Sequence, residues 1–157
     1  MSIESVRAYF AQYGIQDRIQ EFPVSSATVE LAAAALHCPP AHIAKTLSFG
    51  VGGQPVLIVA AGDARIDNAK YKARFGTKAK MLDPAETQAL VGHQVGGICP
   101  FGIRDNVTVY LDRSLQRFDA VYPACGSANS AIRLSLEELE KYARAAGWVD
   151  VCKGWAD

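Results

Sequence analysis

No apolar stretch in this sequence approaches the ~18 residues that a membrane-crossing helix needs, so neither a transmembrane segment nor a membrane partner is expected. The opening residues, Met1 to Arg7, carry no basic-then-apolar leader and read at once as helix, which makes the cytoplasm the expected location. Cysteine is scattered: Cys38, Cys99, Cys125 and Cys152 form no CxxC pair, so reduced thiols are expected and a metal site is not. GxSxG, HExxH and GxxxxGKS/T are all missing, which sets aside a serine elbow, a zincin site and a P-loop. Gly50-Val51-Gly52-Gly53 starts like a dinucleotide fingerprint, but Pro55 takes the place of its last glycine, and it reads as a turn. Net charge is absent too: 16 cations balance 16 anions, so the total announces no polyanionic partner. The three histidines, His37, His42 and His93, fall near expected helix ends and read as surface or capping groups.

What is present is an ordinary globular pattern, one domain over residues 1–157. Ile3, Val6, Phe10 and Tyr13 recur at helical spacing before Gly14. Residues 18–22 alternate as a short strand, and Ser25-Ser26 offers caps for a helix on which Val29, Ala32, Ala33 and Leu36 share a face. Pro39-Pro40 ends that helix and opens a short one over 41–44. Leu47, Phe49 and Val51 alternate, Gly52-Gly53-Gln54 turns, and 56–61 returns as a buried strand. Asp67 caps a helix that Gly76 stops; 79–82 reads as a strand; Asp83-Pro84-Ala85-Glu86 carries a capping box for a helix ending at Gly92. Strands follow at 107–111, 120–124 and 131–134, then a helix from the Ser135/Glu138 capping box to Gly147. Strands outnumber helices in the second half without βαβ alternation. The expectation is α+β, a curved mixed sheet flanked by helices.

Three features suggest a site. Lys45 opens an otherwise apolar strand; by itself it reads first as a strand-end lysine snorkelling to water, ahead of a site residue. The loop at 96–102, Gly96-Gly97-Ile98-Cys99-Pro100-Phe101-Gly102, can bring backbone N–H groups close to a ligand. Tyr122-Pro123-Ala124-Cys125-Gly126-Ser127 ends a strand in small residues. A Cys–His dyad using Cys125 or Cys99 also stays open, although neither has a cationic neighbour in the chain. Cations gather at Arg65, Lys70, Lys72, Arg74, Lys78 and Lys80, either as a solvated helix face or as a phosphate-tracking surface.

Taken in order, Ala44-Lys45-Thr46-Leu47-Ser48-Phe49, the segment 63–70, the loop 96–102, the segment 118–126 and the finish 132–139 resemble the YbaK / prolyl-tRNA-synthetase-associated family. The resemblance spans nearly the whole chain. It implies a partial barrel flanked by helices and a hydrolase that clears wrongly charged aminoacyl-tRNA. It also implies that Lys45 is catalytic, that Thr46, Gly96, Gly97, Pro100 and Gly126 bind substrate, and that no metal or organic cofactor takes part. Aminoacyl-tRNA, with tRNA-Pro foremost, is the implied partner, and prolyl-tRNA synthetase a further one; Lys70, Lys72 and Arg74 are the expected tRNA contacts. Ser25-Ser26-Ala27-Thr28-Val29 replaces the aromatic or histidine-containing lead-in of some subgroups, and Asn129-Ser130 stands where many relatives carry glycine. The amino-acid specificity is therefore not carried over. Two other readings remain: a binding module for tRNA or a synthetase that does no chemistry, and a cysteine-dependent hydrolase using Cys125.

Overall fold

A computed structural model describes residues 2–155. In chain order its elements are α1 (Ser2–Ala11), β1 (Gln20–Glu21), α2 (Val29–Leu36), β2 (Ile43–Val51), β3 (Gln54–Ala61), β4 (Arg65–Ile66), α3 (Asn68–Phe75) and α4 (Pro84–Leu90). There follow β5 (Thr108–Asp112), β6 (Ala120–Pro123), β7 (Ser130–Ala131), β8 (Leu134–Ser135), α5 (Leu136–Ala143), β9 (Gly147–Val149) and β10 (Cys152–Lys153). No helix among the described residues is long and apolar enough to cross a membrane.

The hairpin β2–β3 is the centre of the sheet. Gly52 and Gly53 both have positive φ, 57° and 81°, the geometry a two-residue turn needs to match strand twist. The register runs from Val51 opposite Gln54 to Ala44 opposite Ala61. Six strands lie in the order β8-β6-β2-β3-β5-β9, with β2–β3 and β6–β8 antiparallel and the other three pairs parallel. Two short ribbons, β1–β7 and β4–β10, complete this curled α+β fold. Covered on both faces, β3 buries Leu57, Ile58, Val59, Ala60 and Ala61 completely, which is why it reads as a continuous apolar run. Rings hold the helices in place: Phe10 of α1 packs on Phe101 of the 96–102 loop with centroids 4.8 Å apart, and Tyr71 of α3 packs on Phe49 of β2 at 5.1 Å. A separate small cluster of Ala32, Ala33 and Ile43 seats α2 beside the sheet.

Several expectations shift. The strand at 79–82 is a single bridge, Met81 to Phe49, held by Gly50 N–H to the Lys80 carbonyl and Leu82 N–H to the Ser48 carbonyl, each 3.0 Å. It covers the edge that β6, paired only at Ile43 and Ala44, leaves open on β2. The strand at 18–22 contracts to β1, because residues 16–18 form a 3-10 turn. Thr28, not Ser25 or Ser26, caps α2, its Oγ1 accepting from the Leu31 N–H. The helix expected at 41–44 is a 3-10 turn, Pro40–His42, and Ile43 already belongs to β2. The strand at 131–134 divides into β7 and β8, which pair with different partners, β1 and β6. The last helix stops at Ala143, with Arg144 in the left-handed region, and Gly147 instead opens β9.

Candidate active site

Lys45 is the third residue of β2, opposite Ala60, and half-buried. Burial lowers its pKa from the ordinary lysine value, offset in part by Cys152, Asp63 and Glu30. Of these the Cys152 thiol is itself pushed up to about 12 by burial, so it is neutral near pH 7. The ammonium therefore answers to two carboxylates, Asp63 and Glu30. Arg117 grips Asp63 through two nitrogens, at 2.9 and 2.5 Å, and this pairing holds the Asp63 carboxyl below its usual range.

Beside Lys45 opens a cleft of about 260 Å³. One wall is the start of α2, with Thr28, Val29 and Ala32; another is β2, with Lys45, Thr46 and Ser48. Gly96 and Ile98 come from the glycine loop, Tyr122 and Ala124 from the end of β6, and Met81, Leu82 and Val95 also face it. The surface is mostly apolar, but Thr46 Oγ1 and Ser26 Oγ, both on lining residues, are buried without a hydrogen-bond partner. Ser48 is different: its hydroxyl pairs with that of Thr87 at 3.0 Å.

The loops behind the cleft are joined backbone to backbone. The Ser26 N–H donates to the Ala128 carbonyl at 2.6 Å, and Phe22 N–H to the Asn129 carbonyl at 2.8 Å. Gly97 lies against Gly126 and Ser127, where a Cβ would come within 2.6 Å of the Ser127 nitrogen. The expected substrate set therefore divides. Lys45, Thr46 and Gly96 share the cleft; Gly97 and Gly126 form the seam behind it, Gly126 opening on a separate cavity beside Arg104 and Gln88; buried Pro100 lies farther away, toward Tyr9 and Tyr142. The sequence marks Ser26 only as a candidate cap and as part of the 25–29 segment that departs from the family pattern, and it does not mark Glu30 at all. Neither residue type marks a site without knowing what that segment covers.

The cysteine alternative meets a physical obstacle. Cys99 Sγ does lie 3.5 Å from His93 Nε2, but both residues are fully buried. Nε2 faces the Phe101 carbonyl at 2.7 Å and so carries the proton, and burial lowers the His93 pKa. His93 is thus a core residue, not the surface or capping group expected, because the 96–102 loop folds over it. Burial pushes the Cys99 thiol up to about 12 and the Cys125 thiol well above its ordinary value, so neither supplies a thiolate. His37 does cap α2, with φ 55°, and His42 stacks on Phe118 at 4.3 Å. No three His, Cys, Asp or Glu side chains among the described residues converge as metal ligands.

The α3 cations differ from one another. Lys70 Nζ binds Asp150 at 3.2 Å and the Cys152 carbonyl at 3.1 Å; Arg74 lies over the rings of Phe75 and Tyr110, 5.2 Å from each; Lys72 is exposed.

Comparison with known proteins bears on this arrangement. Residues 24–142 match the model of a family described as the aminoacyl-tRNA editing domain. The chain is 52% identical to YwhH of Bacillus subtilis (strain 168), a protein itself uncharacterized, over 99% of each chain. It is 33% identical over 90 residues to the proline–tRNA ligase of Lysinibacillus sphaericus (strain C3-41), a match covering 57% of this chain and 16% of the ligase. A solved structure, a candidate trans-editing enzyme for prolyl-tRNA synthetase, superposes with a TM-score of 0.87 at 27% identity, covering 98% of both chains.

Proposed function

This chain belongs to the aminoacyl-tRNA editing domain family, and from that premise we propose that it hydrolyses the ester joining a wrongly attached small amino acid to the 3′ end of tRNA. The similarity to proline–tRNA ligases and to a candidate trans-editing enzyme favours tRNA-Pro as the carrier and prolyl-tRNA synthetase as the enzyme it serves. The observation that carries this reading is Lys45, a half-buried cation at the side of an apolar cleft.

Ester hydrolysis requires charge stabilisation on the carbonyl oxygen and an oriented nucleophile. Water adds to the ester carbon, the C–O bond to the ribose breaks, and the departing oxygen takes a proton. Lys45 stabilises the negative charge that develops on the carbonyl oxygen. The Gly97 N–H is already given to the Gln94 carbonyl, whereas the Gly96 N–H makes no hydrogen bond among the described residues and is the better backbone donor. Thr46, beside Lys45, orients the substrate. The cleft volume of about 260 Å³ falls below the ~300–1,000 Å³ of drug-sized ligand sites, which favours a small side chain.

The test is a deacylation panel on tRNA-Pro carrying small non-cognate amino acids, with correctly charged Pro-tRNA as control. Selective release from at least one mischarged species is expected. Release from none, with tRNA still bound, would replace the hydrolase with a binding module.

A further inference from the structure

The ribbon β4–β10 sets Arg65 directly opposite Lys153, and both side chains are exposed. Like charges facing each other across paired strands are destabilising. Neither side chain has an ion pair or hydrogen bond among the described residues, whereas the cations around them are committed: Lys70 and Arg113 to Asp150, Arg117 to Asp63. Asp67 feels the charge of Lys153, but its carboxylate caps α3 through the Ala69 and Lys70 N–H groups. At the end of the ribbon Trp155, half-buried, has the guanidinium groups of Arg113 and Arg117 at 5.2 and 5.0 Å from its ring. Two cations without an ion pair among the described residues and an aromatic ring thus stand together, the combination that holds single-stranded nucleic acid.

The ribbon also adjoins the cleft. Ala60, the cross-strand partner of Lys45, precedes Arg65 by five residues, a reach of at most about 17 Å. Resting on the editing reading above, we propose that the β4–β10 ribbon binds the phosphates of the unpaired 3′ end of tRNA, Arg65 and Lys153 sharing the anion and Trp155 meeting a base. A phosphate between the two cations replaces their repulsion with two attractions, and it leaves the terminal ester free to enter the cleft at Lys45.

The experiment compares wild type with Arg65→Gln/Lys153→Gln, Arg65→Lys and Trp155→Leu, measuring binding of uncharged tRNA against salt and deacylation at low and saturating substrate. The double variant should flatten the log–log salt slope by about 0.7–0.9 per cation removed. Its KM should rise about tenfold, with kcat within about twofold and a Tm no lower than wild type. Arg65→Lys should keep the wild-type slope, and Trp155→Leu should weaken binding without changing it. A wild-type slope and KM in the double variant overturn the proposal. So does a slope that responds only to joint replacement of Lys70, Lys72 and Arg74. Failure of the editing reading looks different: wild type then releases no amino acid from any tRNA, whatever the ribbon variants do to binding.

Discussion

Gly97 rests on Gly126 with no room for a side chain: an added Cβ would stand 2.7 Å from the Gly126 carbonyl carbon. The obstructing atoms are backbone, so they cannot rotate aside. The contact closes the seam between two loops, one of which carries Gly96 into the cleft. Gly97→Ala should therefore cost about 1–3 kcal/mol, as overpacking does. It should also reduce deacylation more than global stability explains, because Gly96 moves with the seam. Urea unfolding beside single-turnover rates checks both; wild-type values for each would show that the loops yield freely.

For Lys45 the expectation is chemical. Lys45→Ala should slow deacylation roughly 10²–10³-fold, as loss of one oxyanion-stabilising donor does, while circular dichroism and cooperative unfolding persist. Burial lowers the Lys45 pKa, so the wild-type rate should decline with rising pH earlier than an ordinary lysine, at 10.5, would dictate. The unfolded chain binds that proton more tightly, and stability should rise with pH between the lowered value and 10.5. Lys45→Met should remove that rise. Activity within about twofold of wild type in Lys45→Ala would end its catalytic assignment.

Thiol reagents distinguish the remaining mechanism. Cys99, Cys125 and Cys152 are buried, and only Cys38 is partly exposed. Iodoacetamide on the native protein should label no more than Cys38, and a Cys38→Ser variant should stay unlabelled by intact mass and fully active. Inactivation of that variant together with labelling of Cys125 would restore the cysteine hydrolase.

Acid stability should report on Arg18 and Glu138. Arg18 reaches both Glu138 oxygens, at 2.7 and 3.1 Å, and the Arg133 carbonyl at 2.7 Å. This pairing lowers the Glu138 carboxyl from 4.5 to about 2. A lowered folded-state pKa means stabilisation that is complete above pH 4.5 and lost as pH falls through about 2. With the side chains 39% and 34% exposed, solvent screening limits it to roughly 1 kcal/mol. Arg18→Ala should be less stable than wild type at pH 7, and the gap should close between pH 4.5 and 2 in urea titrations. A gap independent of pH would mean that lost packing, not charge, separates them.

The elements legible from sequence were those whose stabilising bonds are local. The capping boxes of Asp83 with Glu86 and Ser135 with Glu138, the Asp67 cap and the Gly52-Gly53 turn each close within a few residues, so residue type and spacing carry the information. Lys45, Thr46 and Gly96 were likewise named in advance through the family pattern, and they do share a cleft. The short strands β4, β9 and β10 were not visible, since two or three residues have no periodicity to read and each is defined by a remote partner, Ile66 by Cys152 and Trp148 by Leu111. For the same reason only the tertiary structure decided that His93 is core, that Lys70 is spent on Asp150 and the Cys152 carbonyl, and that Gly97 meets Gly126. Burial and pairing depend on what the rest of the chain brings alongside, and a side chain's own chemistry does not specify its neighbours.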